Sequence, residues 1–508
     1  MVLDINLTRR RLLAFASSIA ASGLLISSCK LPSGYLKSIP SKFENPFKLG
    51  IASGDPVSDG FVIWTRLVFS EYDLQSSPQK PILVNWKVAT DKSMKKTAQS
   101  GQFFAKPENA HAVHVDVSEL EHNKEYFYQF HVGRYYSTIG RGVTSPLVAE
   151  KIENFRFAFV SCQDISGGYF SAYNDIVLKK PNLIIHAGDY IYEKEYIGGD
   201  RRIPVAEAFS LADYRSLYTR YKKDKSLQKA HAVCPWLVIW DDHEVNDNWG
   251  GDFSGLTSKD TSFIERKTAA FKAYYENMPI RLSSKLRDSN VKIYQNNVIG
   301  DLIQFSLLDC RQYRDFPNSK TKNKSMLGQK QENWLKRSLG AYGAKWNIII
   351  QSTIMAPMDI KAGPTIGYNH DGWDSFPESR QRILDWVASK NISNPIAIGG
   401  DIHAFYAGIV NRVATDFNSP PLITEFVTTS ISSGGGGNKR YQQAVRSENL
   451  PLVFFENRVR GYALCDVSQN NLLVTFRRVE NVNNPNSTCT TLKRLLVKDN
   501  QVGITKIN

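Results

Sequence analysis

The sequence has no long basic run beyond its first dozen residues, no zinc-finger spacing and no RNP-type aromatic motif. The formal net charge of +14 is scattered, so it describes a basic surface rather than a dedicated nucleic-acid module. That surface is either plain solvated protein or an attraction to anionic substrates or an anionic envelope. A phosphate-cradling loop is also missing. The one glycine run, Ser433-Gly434-Gly435-Gly436-Gly437, has no Lys-Ser/Thr ending and reads as a flexible connector. Cysteine is scarce, with six in all. Cys234 and Cys310 sit beside apolar strands and read as small buried hydrophobes. Cys465 and Cys489 are candidates to pair in an oxidising compartment. What remains is ordinary globular material: 508 residues, 42% hydrophobic and 22% charged, enough for two or more domains around a large core.

Leu12 to Ile26 is apolar but short for a membrane-spanning helix, and its Ser and Ala suit a signal segment. It follows Thr8-Arg9-Arg10-Arg11-Leu12-Leu13, which resembles a twin-arginine export motif with Leu12 where Phe is more usual. It ends in Leu25-Ile26-Ser27-Ser28-Cys29, which resembles a lipobox. Residues 1–29 are therefore expected to direct export by the twin-arginine translocase to the periplasm or cell envelope. Lipidation of Cys29, with membrane attachment, stands beside a plain signal cleavage and an uncleaved anchor. If Cys29 is lipidated, five cysteines remain, and at least one is unpaired or a ligand.

Residues 30–46, with three prolines and no periodicity, read as a linker. From Phe47 to residue 148, alternating runs such as Gly60–Arg66, Ile82–Val88, His111–Val117 and Tyr126–Val132 predict a β-sandwich. Residues 150–508 change texture. Apolar strands at Phe155–Val160, Leu183–His186, Trp236–Trp240, Leu302–Leu308, Trp346–Ile350 and Pro395–Ile398 alternate with helices at Ala206–Tyr221, Ser262–Asn277, Gln329–Leu339 and Pro377–Ser389. This is an α/β (α+β) pattern of sheets flanked by helices. Leu422–Thr428, Tyr462–Asp466 and Leu472–Arg478 are expected to add an antiparallel part. Trp373 and Phe376 are candidates for a substrate wall or for packing under the next helix.

Five of the six core strands end on residues with ligand chemistry: Ser161-Cys162-Gln163, Gly188-Asp189-Tyr190-Ile191-Tyr192, Asp241-Asp242-His243-Glu244, Asp309-Cys310-Arg311 and Gly400-Asp401-Ile402-His403. Ligands collect at the carboxyl ends of strands in open α/β sheets, and these ends are expected to align on one sheet. Adjacent titratable groups desolvate and repel one another unless cations share them. Thiol, phenol and imidazole (Cys162, Tyr192, His403) suit a trivalent or borderline transition metal, and carboxylates and amides suit a harder ion such as calcium or magnesium. Asp189 is the natural bridge, and two neighbouring metals can clamp a phosphoryl group. Arg311 either neutralises phosphate oxygens or pairs with Asp309 or Asp315. His243 is a ligand, a proton donor to the leaving group, or an orienter of a ligand.

Taken together, Gly54-Asp55-Pro56, Ser161-Cys162-Gln163, Gly188–Glu193, Trp240–Val245, Asp309–Arg314 and Gly400–His403 resemble the PhoD-type alkaline phosphatases, relatives of the calcineurin-like metallophosphoesterases. The resemblance spans residues 47 to about 430 in the family's order. It implies an N-terminal β-sandwich and a metallophosphoesterase core with Fe3+ and Ca2+. Cys162, Asp189, Tyr192 and His403 would hold iron. Asp189 would bridge to calcium, completed by Asp401 and the turn from Asp242 to Asn246. Beside that implied ligand set, His243 and Arg311 remain the candidate catalytic residues on their own chemistry. The implied activity is hydrolysis of phosphate esters by a metal-activated hydroxide. A phosphodiesterase acting on phospholipid head groups or teichoic-type polymers, and a surface-binding protein with an inert core, are the competing expectations.

Overall fold

The computed structural model describes residues 34–507, apart from 41–42, 70–76, 196–205, 256–260, 282–290 and 434–436. The export segment, Cys29 and most of the glycine run lie outside the described residues. The alternating apolar pattern of the first part produces strands β1 (Ile51–Val57), β2 (Gly60–Arg66), β3 (Ile82–Ala89), β4 (Thr97–Ala105), β5 (Ala112–Val117), β6 (Glu125–Val132), β7 (Tyr135–Tyr136) and β8 (Gly140–Val143). Their inward residues, among them Ile63, Val113, Val84, Val88, Tyr128 and Phe130, form one buried cluster between two sheets. This is the expected sandwich.

The second part contributes β9 (Asn154–Val160), β10 (Leu183–Ala187), β11 (Trp236–Ile239), β12 (Gln295–Ile299), β13 (Ile303–Leu307), β14 (Trp346–Ile350), β15 (Pro395–Gly399), β16 (Phe405–Asn411), β17 (Pro421–Val427), β18 (Leu452–Glu456), β19 (Gly461–Ser468), β20 (Asn471–Val479), β21 (Cys489–Lys498) and β22 (Thr505–Ile507). The helices are α1 (Ala172–Lys179), α2 (Leu211–Lys222), α3 (Lys225–Val233), α4 (Thr261–Asn277), α5 (Gly328–Ser338), α6 (Pro377–Ser389) and α7 (Lys439–Glu448). Helix α2 starts at a Ser210–Asp213 capping box, which satisfies its first amides and moves its start several residues past Ala206. Helix α6 has Pro377 in its first turn, as the sequence suggests.

The core strands do not share one sheet. The first sheet runs β22-β21-β20-β19-β9-β10-β11-β1-β2-β5, and the second runs β12-β13-β14-β15-β17-β16-β18. The two pack face to face through buried rings: Phe157 meets Phe305 edge-on at 5.2 Å, and Phe405 stacks on Phe476 at 4.5 Å. Period-2 patterning reports which faces are buried, but not which of two facing sheets a strand joins, so the single-sheet expectation is corrected here. Strand β17 is also parallel to β15 and antiparallel only to β16. The outer face of the second sheet is covered by α5 and α6, with Leu335, Ile383 and Leu384 against Ile349 and Ala397.

The sandwich and the core share a sheet. β1 pairs in parallel with β11 at Gly54↔Trp236. Only glycine fits there, because a Cβ on Gly54 would lie 2.1 Å from the Pro279 carbonyl oxygen. The stretch read as a linker is docked from Leu36: its amide bonds the Pro81 carbonyl at 2.8 Å, and Ile39 and Phe47 join the sandwich core. Cys465 and Cys489 are both unpaired. They lie on strands either side of β20, opposite Val474 and Val479, too far apart for a disulfide. Trp373 and Phe376 are buried in the core cluster beneath the second sheet, which makes them packing rather than wall.

Candidate metal centre

Each expected ligand follows the carboxyl end of a parallel strand, where the chain must turn sharply over the facing sheet. Cys162 follows β9, Asp189 follows β10, Asp242 and His243 follow β11, and Asp401 and His403 follow β15. Four of these residues adopt the left-handed backbone region: Cys162 at φ +56°, Asp189 at +57°, Asp401 at +66° and His403 at +50°. Non-glycine residues in that region cost about 1–3 kcal/mol each and cluster where function requires them. Gly188 and Gly400 let the loops close. A Cβ on Gly188 would lie 2.5 Å from Asp241 Cβ, and one on Gly400 would lie 2.5 Å from Ser161 Oγ.

Two sets of donors converge. Ligand atoms of Cys162, Asp189 and His403 lie within 4.8 Å of one another, and so do those of Asp189, Asp242 and His243. Asp189 belongs to both. The Tyr192 hydroxyl joins the first set, 3.2 Å from Asp189 Oδ2 and 2.9 Å from His403 Nε2. Asp401 is in neither set; its Oδ2 accepts from Thr353 Oγ1 at 2.8 Å. The Asn246 side-chain amide nitrogen donates to the Asp247 carbonyl and to Ser254 Oγ. Two residues on, Asn248 has φ +58° and bonds Asp242 Oδ2 through its backbone amide at 2.7 Å.

The electrostatics are those of a site short of positive charge. Burial pushes the Asp189 and Asp401 carboxyls and the Cys162 thiol well above their ordinary values, and the neighbouring Asp189 raises Cys162 further. Burial also raises the Tyr192 phenol and lowers His403 to about 3. His243 behaves oppositely. Burial opposes its charge, but Asp242, Glu193 and Asp189 together hold it protonated well above the usual histidine range. Its Nδ1 is 2.8 Å from Glu193 Oε2, and its ring stacks on Tyr192 at 4.2 Å.

Two residues outside the expected set prove essential to the geometry. Glu244 is fully buried and accepts from the backbone amides of Asp189, Tyr190 and Asp241, tying the second and third loops together. Glu193 orients His243 and caps Asp247 N. Both stand inside quoted motifs, but nothing in a linear string separates an acid that binds a cation from one that binds amides. Arg311 pairs neither with Asp309 nor with Asp315 through its side chain. Its guanidinium, 1% exposed, holds Asp241 at 2.5 Å and Asp371 at 2.7 Å and lies 3.7 Å from Asp242. Arg314 shares Asp371 at 2.8 Å.

The donor chemistry fits the implied cations. A thiol, a phenol, an imidazole and a shared carboxylate meet at one point, with further carboxylates beside them. Asp241 Oδ2 is buried with no hydrogen-bond partner among the described residues, a cost that nearby positive charge would offset.

The chain matches the family described as PhoD-like phosphatase over residues 157–476, and that family's N-terminal domain over residues 34–146. It is 34% identical to alkaline phosphatase D of Bacillus subtilis (strain 168) over 519 aligned residues, covering 98% of this chain and 89% of that protein. The solved structure of PhoD superposes with a TM-score of 0.88 at 35% identity, covering 92% of this chain and 94% of that one. Fold and relatives define a phosphoesterase, a hydrolase of phosphoric esters. The chain belongs to the PhoD-like phosphatase family.

Proposed function

We propose that the protein is an exported alkaline phosphatase that hydrolyses phosphate esters at a paired iron and calcium site. The observation that carries this reading is the membership of Asp189 in both donor sets. Cys162, Asp189, Tyr192 and His403 would hold iron. Asp189 and Asp242 would hold calcium, with Asp401 and Asn246 or another amide of the turn from Asp242 to Asn248. The cations, when bound, supply Lewis acidity toward the phosphoryl oxygens and the attacking water.

The chain's own groups do the rest. His243, held charged and oriented through Nδ1 by Glu193, carries a proton beside Asp189 and Asp242 for the leaving oxygen. Arg311 is committed to Asp241 and Asp371, so in this reading it fixes the Asp241–Asp242 turn instead of clamping phosphate. Burial keeps the site dry and strengthens each of these interactions.

The test is hydrolysis of p-nitrophenyl phosphate and bis-p-nitrophenyl phosphate, with metal analysis of the same sample. Calcium-dependent turnover with bound iron, abolished in Cys162→Ala and Asp189→Ala, supports the reading. The mono-to-diester ratio decides between phosphatase and phosphodiesterase. A folded protein inactive on both after iron and calcium are supplied would leave the surface-binding reading in place.

Export is part of the same proposal. It rests on Thr8–Leu13 and Leu25–Cys29, with Cys29 as the anchor to a membrane and the twin-arginine translocase as the carrier. No helix among the described residues is long and apolar enough to cross a membrane.

A further inference from the structure

The donors assigned to iron come from both sheets. Cys162, Asp189 and Tyr192 follow strands of the first, and His403 follows β15 of the second. Each sheet fixes the position of its own donors, but the gap between the two groups must be set by something that spans it. Residues 428–433, Thr-Thr-Ser-Ile-Ser-Ser, do so. The segment leaves β17, bonds the second sheet from Thr428 N to the Gly399 carbonyl at 3.0 Å, and then pairs with the first sheet. There Ser430 forms a parallel bridge with Ser161, and Ile431 N donates to the Ser161 carbonyl at 3.0 Å.

Five of its six residues carry hydroxyls, yet all six are at most 4% exposed. A seam needing only backbone pairing would be served by apolar side chains, since a buried hydroxyl is costly unless bonded. Here several hydroxyls reach the ligand loops. Thr429 Oγ1 bonds the His403 carbonyl at 3.0 Å, and Ser430 Oγ bonds the Cys162 carbonyl at 2.8 Å. Ser433 Oγ lies 2.9 Å from both the Cys162 carbonyl and the Tyr192 hydroxyl. The hydroxyl has one proton: it donates either to the Cys162 carbonyl while accepting from the Tyr192 hydroxyl, or to the Tyr192 oxygen itself. Arg460, 6% exposed, locks the arrangement, with Nε on the Ser433 carbonyl at 2.7 Å and Nη1 on the His403 carbonyl at 3.4 Å.

We propose that Ser433 and Arg460 are positioning residues for the iron side of the centre: they set the direction of the Tyr192 oxygen and the spacing of Cys162 from His403, and thereby how tightly a ferric ion is held. The inference rests on the iron assignment above. Partners of ligands characteristically change metal affinity about 10–100-fold when removed.

The full chain, stripped by chelation and reloaded with ferric iron, is read by its tyrosinate- and thiolate-to-iron absorption band and by iron retention against a chelator. Ser433→Ala is expected to shift the band and weaken iron retention about 10–100-fold. Calcium affinity and the melting temperature of the metal-free protein should match the parent. Ser433→Thr should restore the band, and Arg460→Lys should fall between parent and Ser433→Ala. A Ser433→Ala protein with the parent's band and retention overturns the inference. So does one whose metal-free form melts lower while Ser433→Thr leaves the band unrestored, since the role is then structural. A parent that shows no such band sinks the iron assignment itself, which separates the two failures.

Discussion

His243 and Glu193 form a buried pair beside the candidate metal centre, with Nδ1 2.8 Å from Oε2 and neither side chain more than 11% exposed. The pair leaves the imidazole charged and its ring flat against Tyr192, which limits how it can turn.

Replacing Glu193 by Gln removes one of the charges that keep His243 protonated. Its folded value drops, so the alkaline limb of kcat moves to lower pH. A general acid contributes about 10²–10⁴-fold, so poor leaving groups should suffer most. Rates on an alkyl phosphate and on p-nitrophenyl phosphate across pH 7–10 test this. An equal loss on both esters, with no shift of the limb, refutes the proton-donor role.

Stripping the cations should make stability pH-dependent. Asp189 and Asp401 have folded values well above the ordinary 3.8, so the folded metal-free protein binds more protons than the unfolded chain. Its stability therefore falls as pH rises above that ordinary value. Loading with iron and calcium replaces the protons. The difference in melting temperature between loaded and stripped protein should widen from pH 5 to pH 8. A gap that stays constant or narrows contradicts the charge deficit.

Gly188→Ala should disturb both fold and site. The new Cβ would sit 2.5 Å from Asp241 Cβ, at a φ of +102° that L-residues avoid. Overpacking of this kind costs about 1–3 kcal/mol. Urea unfolding should show a lower midpoint with an unchanged slope, together with lost iron. An unchanged midpoint would mean that the loops have more room than their packing indicates.

All five described cysteines are free thiols. Unfolding the protein in denaturant without reductant should expose Cys162, Cys234, Cys310, Cys465 and Cys489 to a thiol reagent. A protected pair at Cys465 and Cys489 would require β20 to leave its place between them.

The sequence was most legible where one local rule acts alone. Apolar runs marked the six core strands, and the residues just past them supplied Cys162, Asp189, Asp242 and His403. Partnership across the molecule was not legible. The sequence offered Arg311 a phosphate oxygen or a pair with Asp309 or Asp315, and could not show that Asp241 and, sixty residues later, Asp371 lie on its guanidinium. The stretch holding Leu36, Ile39 and Phe47 carries too little periodicity to show that these residues dock. The division between two sheets is set by tertiary pairing, which a period of two does not encode.

The join between Gly54 and Trp236 has a consequence for how the molecule can be divided. Residues 150–508 alone would leave Trp236–Ile239 as a bare, wholly apolar sheet edge, the kind of surface that recruits strands from other chains. The sandwich is thus the edge cover of the catalytic core. Natural cuts that spare solubility lie before Leu36, whose stretch docks on the sandwich, rather than between the two halves.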